Sequence, residues 1–408
     1  MRNNIKRSSF KMRRKRVTSR ISRKSDKIQY KSLKKTKLTG DTLKIFILTF
    51  LLLTLNGCSV FYLGIKDYDN FDPKIQADNL GDIVEVWEDG RRTNSNNGEY
   101  EWWYFDSKLD DGAVIVAYFW TLKAFKDIFY IGVNYNHPDG TSYKKIKFFK
   151  KKDVFIEKSK CNLKYNDNIF EGDLKNYKVK ISPEDFDGFG FDINLSSTVP
   201  SYRPQDGIIS AGDDYFAWLA AVPNGHVSGT LTYNDNIREI KGDGYHDHNW
   251  GNIPLQRLFD DWVWFRGTVE DYTIIGFQLN TSDKRGGYSI PGIFVGDSSG
   301  VIYENFGQNG IFTANENLIT DVYRKNNESF FSNFKLLTKD NYFIEIDGCE
   351  VIENLALFEV LNTPFIPLFF KFSKIDPYYT RYKSTVNLEL PSGEKLEGDA
   401  VLEIMDLK

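Results

Sequence analysis

The chain reads as an all-β protein: two tandem antiparallel β-domains behind a basic tail and an apolar segment. Three observations predict this. From about residue 82 apolar and polar residues alternate in short runs, the period at which one face of a strand meets a core. The runs are broken by turn dipeptides such as Asp111-Gly112 and Asp139-Gly140, which supply the positive φ that tight hairpins need. Aromatic residues make up 15% of the sequence, and Phe and Tyr suit pleated surfaces. So many short strands exceed one sandwich or barrel, so two β-domains are expected, 82–240 and 241–408.

The N-terminal elements come first. Residues 1–44 hold 17 Lys or Arg against Asp26 and Asp41, a basic tail without apolar periodicity. The rest of the chain carries 36 basic and 54 acidic side chains, so the net charge of -3 joins two unlike parts. Residues 45–65, "IFILTFLLLTLNGCSVFYLGI", have no charge and are long enough to span a bilayer. They also have the form of a secretory signal, and "LNGC" resembles a lipoprotein signal in which Cys58 becomes the lipidated terminus. The other reading is an uncleaved anchor helix. Both predict a membrane-anchored protein whose body is extracytoplasmic, because the basic flank stays inside. Beside a membrane that flank meets anionic lipid rather than nucleic acid. Residues 66–81 read as a linker.

Within the body, "EWWYFDSKLDDGAVIVAYFW" is two strands around Asp111-Gly112, and "IFYIGVNYNHPDGTSYKKIKFF" two more around Pro138-Asp139-Gly140. "HVSGTLTYNDNIREIKGDGYHDHNWG", "WVWFRGTVEDYTIIGFQL" and "STVNLELPSGEKLEGDAVLEI" repeat the pattern. Only "ENLALFEVLN" has a helical look. "YNDNIFEG" and "YNDNIREIKG" share an Asn-Asp-Asn turn that coincidence explains as well as duplication does. Cys161 and Cys349 have no zinc-type spacing and are expected to stay unpaired. No phosphate or dinucleotide glycine motif appears in the required strand–helix context, so no cofactor is expected.

The chemistry concentrates in "GYHDHNWGN", residues 244–252. On a strand, Gly244, His246, His248 and Trp250 share one face and Tyr245, Asp247 and Asn249 the other. A metal would need a third ligand beside His246 and His248, and none has diagnostic spacing, so no metal is expected. A buried His–Asp pair beside a Trp can simply satisfy hydrogen bonds in a core. Yet His, Asp, His, Asn and Trp within five residues is a costly set to bury without purpose. The acid–base alternative has Asp247 and His248 carry protons while Trp250 offers a π face to a carbocation, worth about 2 kcal/mol when desolvated. Two further clusters fit such a pocket. Trp102, Tyr104 and Asp106 share one strand face, with Glu101, Trp103 and Phe105 opposite; Trp262, Trp264 and Arg266 share another. Ordinary aromatic packing accounts for either cluster equally well.

Taken together, "EWWYFDSKLDDGAVIVAYFW", "GDGYHDHNWGN" and "WVWFRG" resemble the carotenoid 1,2-hydratase (hydroxyneurosporene synthase) family and its AttH-like relatives. The resemblance implies two lipocalin-like β-barrels. It also implies catalysis at His248 and Trp250 with Asp247 beside them; the strand faces read above add a candidate substrate site of His246, Trp102, Trp103, Tyr104, Asp106, Trp262, Trp264 and Arg266. One departure stands out: the Tyr-x-Asp element of the carotenoid hydratases has no acid counterpart in "YTIIGFQL", leaving Asp247, Asp106 or Glu101 as the proton donor. The expectation is a hydratase or cyclase/isomerase acting on a C=C bond of an apolar polyene or isoprenoid-like lipid. The alternative is a non-catalytic lipid-binding or carrier lipoprotein. Expected partners are therefore a hydrophobic ligand and a membrane; the oligomeric state cannot be read from the sequence.

Overall fold

The computed structural model describes residues 74–76 and 83–407, apart from internal stretches at 125, 205–206, 212, 308–309, 321–328 and 357–376. The basic tail, the apolar segment with Cys58 and most of the linker lie outside the described residues. Among the described residues no helix is long and apolar enough to cross a membrane.

The first sheet comprises β1 (Lys74–Gln76), β2 (Tyr100–Leu109), β3 (Val114–Ala124), β4 (Lys126–Asn136), β5 (Ser142–Phe149), β6 (Val154–Ile156), β7 (Asn162–Tyr165), β8 (Asn168–Gly172), β9 (Asn176–Ile181), β10 (Gly190–Ser197), β11 (Ile208–Ala211), β12 (Asp214–Tyr233) and β13 (Asn236–Gly251). Its order is β5-β4-β3-β2-β13-β12-β10-β9-β8-β7-β6, with β11 on β12 and β1 on β11. The second comprises β14 (Phe259–Val269), β15 (Tyr272–Thr281), β16 (Ser289–Asp297), β17 (Gly300–Phe306), β18 (Ile311–Thr320), β19 (Ser329–Thr338), β20 (Phe343–Ala356), β21 (Tyr378–Glu389) and β22 (Lys395–Asp406), in the order β17-β16-β15-β14-β22-β21-β20-β19-β18. Each sheet curls into a nearly closed, lipocalin-like barrel.

Closure follows from where the large side chains point. Phe105 and Phe119 of β2 and β3 meet Phe191, Tyr165 and Phe170 from across the first barrel at ring separations of 5.4 to 6.0 Å. Strand alternation thus fills one face with rings and leaves the other outside. The second barrel is filled in the same way by Phe265, Phe334, Ile344, Val386 and Leu402. A third cluster joins the barrels: Tyr202, Ile209, Trp218 and Tyr245 pack on Phe259, Ile275, Phe277 and Phe294. Burying each such side chain contributes about 1.5–3 kcal/mol.

The expected hairpins at Asp111-Gly112 and Asp139-Gly140 are present, with φ of 86° at Gly112 and 83° at Gly140. The expected domain boundary at 240/241 is not a break: it falls inside β13, which pairs throughout with β12 and β2. The Asn234-Asp235 pair is the tip of the long β12–β13 hairpin, both residues at positive φ. The first sheet therefore runs to Gly251 and the second begins at Phe259. The "ENLALFEVLN" stretch is not helical where it is described: Glu353–Ala356 finish β20.

Candidate functional site

A cavity of about 450 Å3 opens between the outer faces of the two sheets. Strand register explains its wall. On the first sheet, Asn249 lies beside Trp102, Trp120 and Tyr130; two residues along, Asp247 lies beside Tyr104, Tyr118 and Gly132; two further, Tyr245 lies beside Asp106, Val116 and Asn134. Facing them, Leu279, Trp262, Met405, Tyr379 and Leu355 form one row of the second sheet, and Phe277, Trp264, Glu403, Arg381 and Glu353 the next. Most of these side chains line the cavity. Gly132 makes room for the Tyr118 ring, because a Cβ there would sit 2.0 Å from Tyr118 Cζ. Gly132→Val is expected to push that ring into the cavity and weaken binding of any ligand while the strand persists, which a ligand titration beside circular dichroism would check.

Asp247 is the acid that the first sheet contributes to this wall. Its Oδ2 accepts hydrogen bonds from Tyr245 Oη at 3.0 Å and Trp218 Nε1 at 3.2 Å, and its Oδ1 accepts from Asn249 Nδ2 at 2.7 Å. Burial pushes the carboxyl up to about 7 against the opposing pull of these donors and of His246. A carboxyl that titrates near neutrality in an apolar, indole-walled cavity can give and retake a proton.

The opposite end of the cavity is ionic. Asp106 accepts from Arg266 at 2.6 Å and from Arg381 at 2.9 Å, one oxygen each, and Tyr104 Oη donates to it at 3.0 Å. Arg266 also stacks over Tyr245, 4.6 Å from the ring centre, and not over the tryptophans. Glu353 pairs with Lys144 and takes a long contact from Asn134. Asp106 and Arg266 thus brace the wall from behind.

The histidines lie elsewhere. Strand parity holds, but the face bearing His246, His248 and Trp250 points into the packed first barrel, and none of the three lines the cavity. The expectation that His248 and Trp250 look into a hollow is therefore corrected. The barrel interior takes the largest rings, and the void forms on the outer face, where a second barrel leaves a gap. His248 Nε2 donates to Glu101 Oε1 at 2.9 Å, and its ring stacks on Trp103 at 4.4 Å and lies 4.8 Å from Trp250. His246 meets Asp89 Oδ2 at 3.1 Å and the Tyr104 carbonyl at 2.8 Å. Trp103, expected at the substrate, faces inward too and donates to the Asp89 carbonyl at 2.9 Å. Glu101 also accepts from the Arg92 and Thr93 backbone amides and the Thr93 hydroxyl, at 2.6 to 3.2 Å. This polar clasp ties the segment before β2 into the barrel.

Asp89, Cys161 and His246 place potential metal-binding atoms within 4.8 Å of one another inside the clasp. Burial pushes the Asp89 carboxyl up, but His246, His248 and Tyr177 outweigh it and hold it below its ordinary range. Cys161 is buried there and Cys349 is exposed on β20; both are free.

Known proteins share this architecture. An AttH protein from Nitrosomonas europaea superposes with a TM-score of 0.57 at 15% identity, covering 81% of this chain and 98% of its own. Kievitone hydratase from Nectria haematococca gives 0.52 at 12% identity, covering 82% and 96%. CghA bound to Sch210972 gives 0.53 at 12%, covering 80% and 97%. The chain shares the lipocalin-like two-barrel fold of these proteins. In sequence it is similar to a hydroxyneurosporene dehydrogenase of Chlorobaculum tepidum, 26% identical over 208 residues that cover 41% of this chain and 53% of the relative. A 63-residue stretch, 15% of this chain and 17% of the relative, is 29% identical to the quinolone epoxide rearrangement protein asqO of Emericella nidulans. The chain thus spans about half or less of the curated relatives it matches. No family model matches it.

Trp102, Tyr104, Trp262, Trp264 and Asp247 come together at the cavity. Arg381, Glu403, Glu353, Tyr118 and Trp218 join them without having been singled out. Their signal was weak: an outward-facing Arg or Glu on a strand reads as solvated until a second sheet covers it.

Proposed function

We propose that this AttH-like chain is a cofactor-free acid–base enzyme acting on a C=C bond of a largely apolar polyene or isoprenoid-like molecule, with Asp247 as proton donor. The observation that carries the reading is the Asp247 carboxyl, raised to about 7 in a cavity walled by Trp102, Trp218, Trp262 and Trp264. The Asp247 O–H proton goes to one alkene carbon, and the π pair forms the new C–H bond. The cation left on the other carbon is stabilised by the indole faces. Water then forms the C–O bond and returns a proton to the Asp247 carboxylate, giving net hydration. Where an alkene within the substrate captures the cation, a C–C bond closes a ring and a proton returns to Asp247; where a neighbouring C–H proton is lost directly to Asp247, the double bond is shifted instead. The names hydratase and rearrangement protein among the similar proteins support this class of chemistry; the dehydrogenase name belongs to its own bearer.

The uncharged stretch at 45–65 supports attachment to a membrane with the barrels outside the cytoplasm, which would deliver such a substrate from the lipid phase. Carbonate extraction of membranes checks the attachment. For activity, purified protein is incubated with candidate polyenes and products are read by mass spectrometry. A gain of one water, or an isobaric ring product, is expected with the native chain and not with Asp247→Asn. Retention of polyene by both forms without product would sink catalysis and leave a carrier.

A further inference from the structure

We infer that the cavity selects a substrate with a single anionic oxygen group, a carboxylate or a similar compact oxyanion, at one end of its apolar skeleton, with Arg381 as the receptor. This rests on the cavity being the substrate site, but not on Asp247 being the acid.

The argument is one of an unpartnered guanidinium donor. Arg266 and Arg381 share a single carboxylate, Asp106, whose two oxygens are both taken. Glu353 is already matched by Lys144. The remaining acid is Glu403, and its Oε1 stands 3.5 Å from Arg381 Nε, too far for a good hydrogen bond. Arg381 Nε and Glu403 Oε1 are both buried without a hydrogen-bond partner. Burial pushes the Glu403 carboxyl up against the pull of Arg381 and a Tyr379 hydrogen bond, which favours its neutral form. The end wall then carries a buried guanidinium N–H of Arg381 without a hydrogen-bond acceptor. A buried donor of that kind is costly unless paired, and an entering oxyanion pairs it. A guanidinium edge suits planar, two-oxygen anions in particular.

The position of this group also fixes where the reaction falls. The Asp106 row lies two residues along the strand from the Asp247 row, roughly 7 Å. With the anion held at Arg381, the C=C bond that meets Asp247 lies on the order of five or six carbon atoms away along an extended chain.

The test titrates the full chain with cis-parinaric acid and with its methyl ester, at a pH where the acid is ionised. Quenching of the cavity tryptophans is the readout. The acid is expected to bind at least about tenfold more tightly than the ester, the value of a charge-assisted contact. Arg381→Gln is expected to bring the acid down to the level of the ester and leave the ester unchanged. Arg381→Lys, which keeps the charge, should retain a preference and covers the case in which the Gln variant fails to fold. Asp247→Asn should keep the full preference, so that loss of turnover and loss of anion selection are read separately. Equal affinity for acid and ester in the native chain, no binding of either, or a preference that survives Arg381→Gln overturns the inference.

Discussion

Asp247→Asn is expected to lower turnover by about 10^2- to 10^4-fold, the usual contribution of a positioned proton donor, with little change in fold. The amide matches the carboxyl in shape. Its oxygen can keep the hydrogen bonds from Tyr245 and Trp218, while its NH2 faces Asn249, whose own amide can turn to present oxygen. What is lost is the dissociable proton. In the native chain that proton is present below about 7, so the rate should fall as pH rises through that value, and the variant's residual rate should show no such inflection. Stability follows the same group. The folded-state pKa of Asp247 lies above the ordinary carboxylate value of 3.8, so the folded chain holds the proton more tightly than the unfolded one. The resulting stabilisation is complete below about 4 and is lost as pH climbs to about 7. Melting temperatures recorded across that range should decline in the native chain and decline less in Asp247→Asn. Full activity in the variant would remove Asp247 from the chemistry.

The two-barrel fold was legible because its determinants are local. Alternation, Asp-Gly turns and aromatic content all act within a hairpin, and the hairpins at Gly112 and Gly140 formed where they were expected. Parity along "GYHDHNWGN" also held: Tyr245, Asp247 and Asn249 share a face opposite His246, His248 and Trp250. Which face meets a void is a different matter, because a period of two is silent on inside and outside when both faces are apolar or polar by turns. The histidines looked more chemical than the aspartate between them, yet only the aspartate reached the cavity. Arg381 and Glu403 were out of reach of sequence reasoning for a related cause. They sit more than 100 residues from Asp247 and acquire meaning only when β21 and β22 are laid against β2 and β13. The 240/241 boundary failed because a count of strands does not show which of them share a sheet, and β13 runs unbroken through that point.

The sharpest check on that division of labour is Glu101→Ala. In the packed barrel it would strand the His248 Nε2 proton, the Arg92 and Thr93 amides and the Thr93 hydroxyl, all of which now donate to Glu101. Removing one partner from a buried pair of this kind costs about 3–5 kcal/mol, enough to lower the unfolding midpoint markedly in denaturant. His248→Ala should also destabilise, by opening a space beside Trp103 and Trp250 and by leaving Glu101 one donor short. Because the two changes remove the same contact, the double variant should lose less than the two single losses combined. The clasp lies on the far side of the β2 and β13 backbones from the cavity, so turnover per folded molecule should survive at temperatures where these variants stay folded. The contrary result, normal stability with abolished turnover in His248→Ala, would return the histidine to the reaction and require the substrate to enter the first barrel.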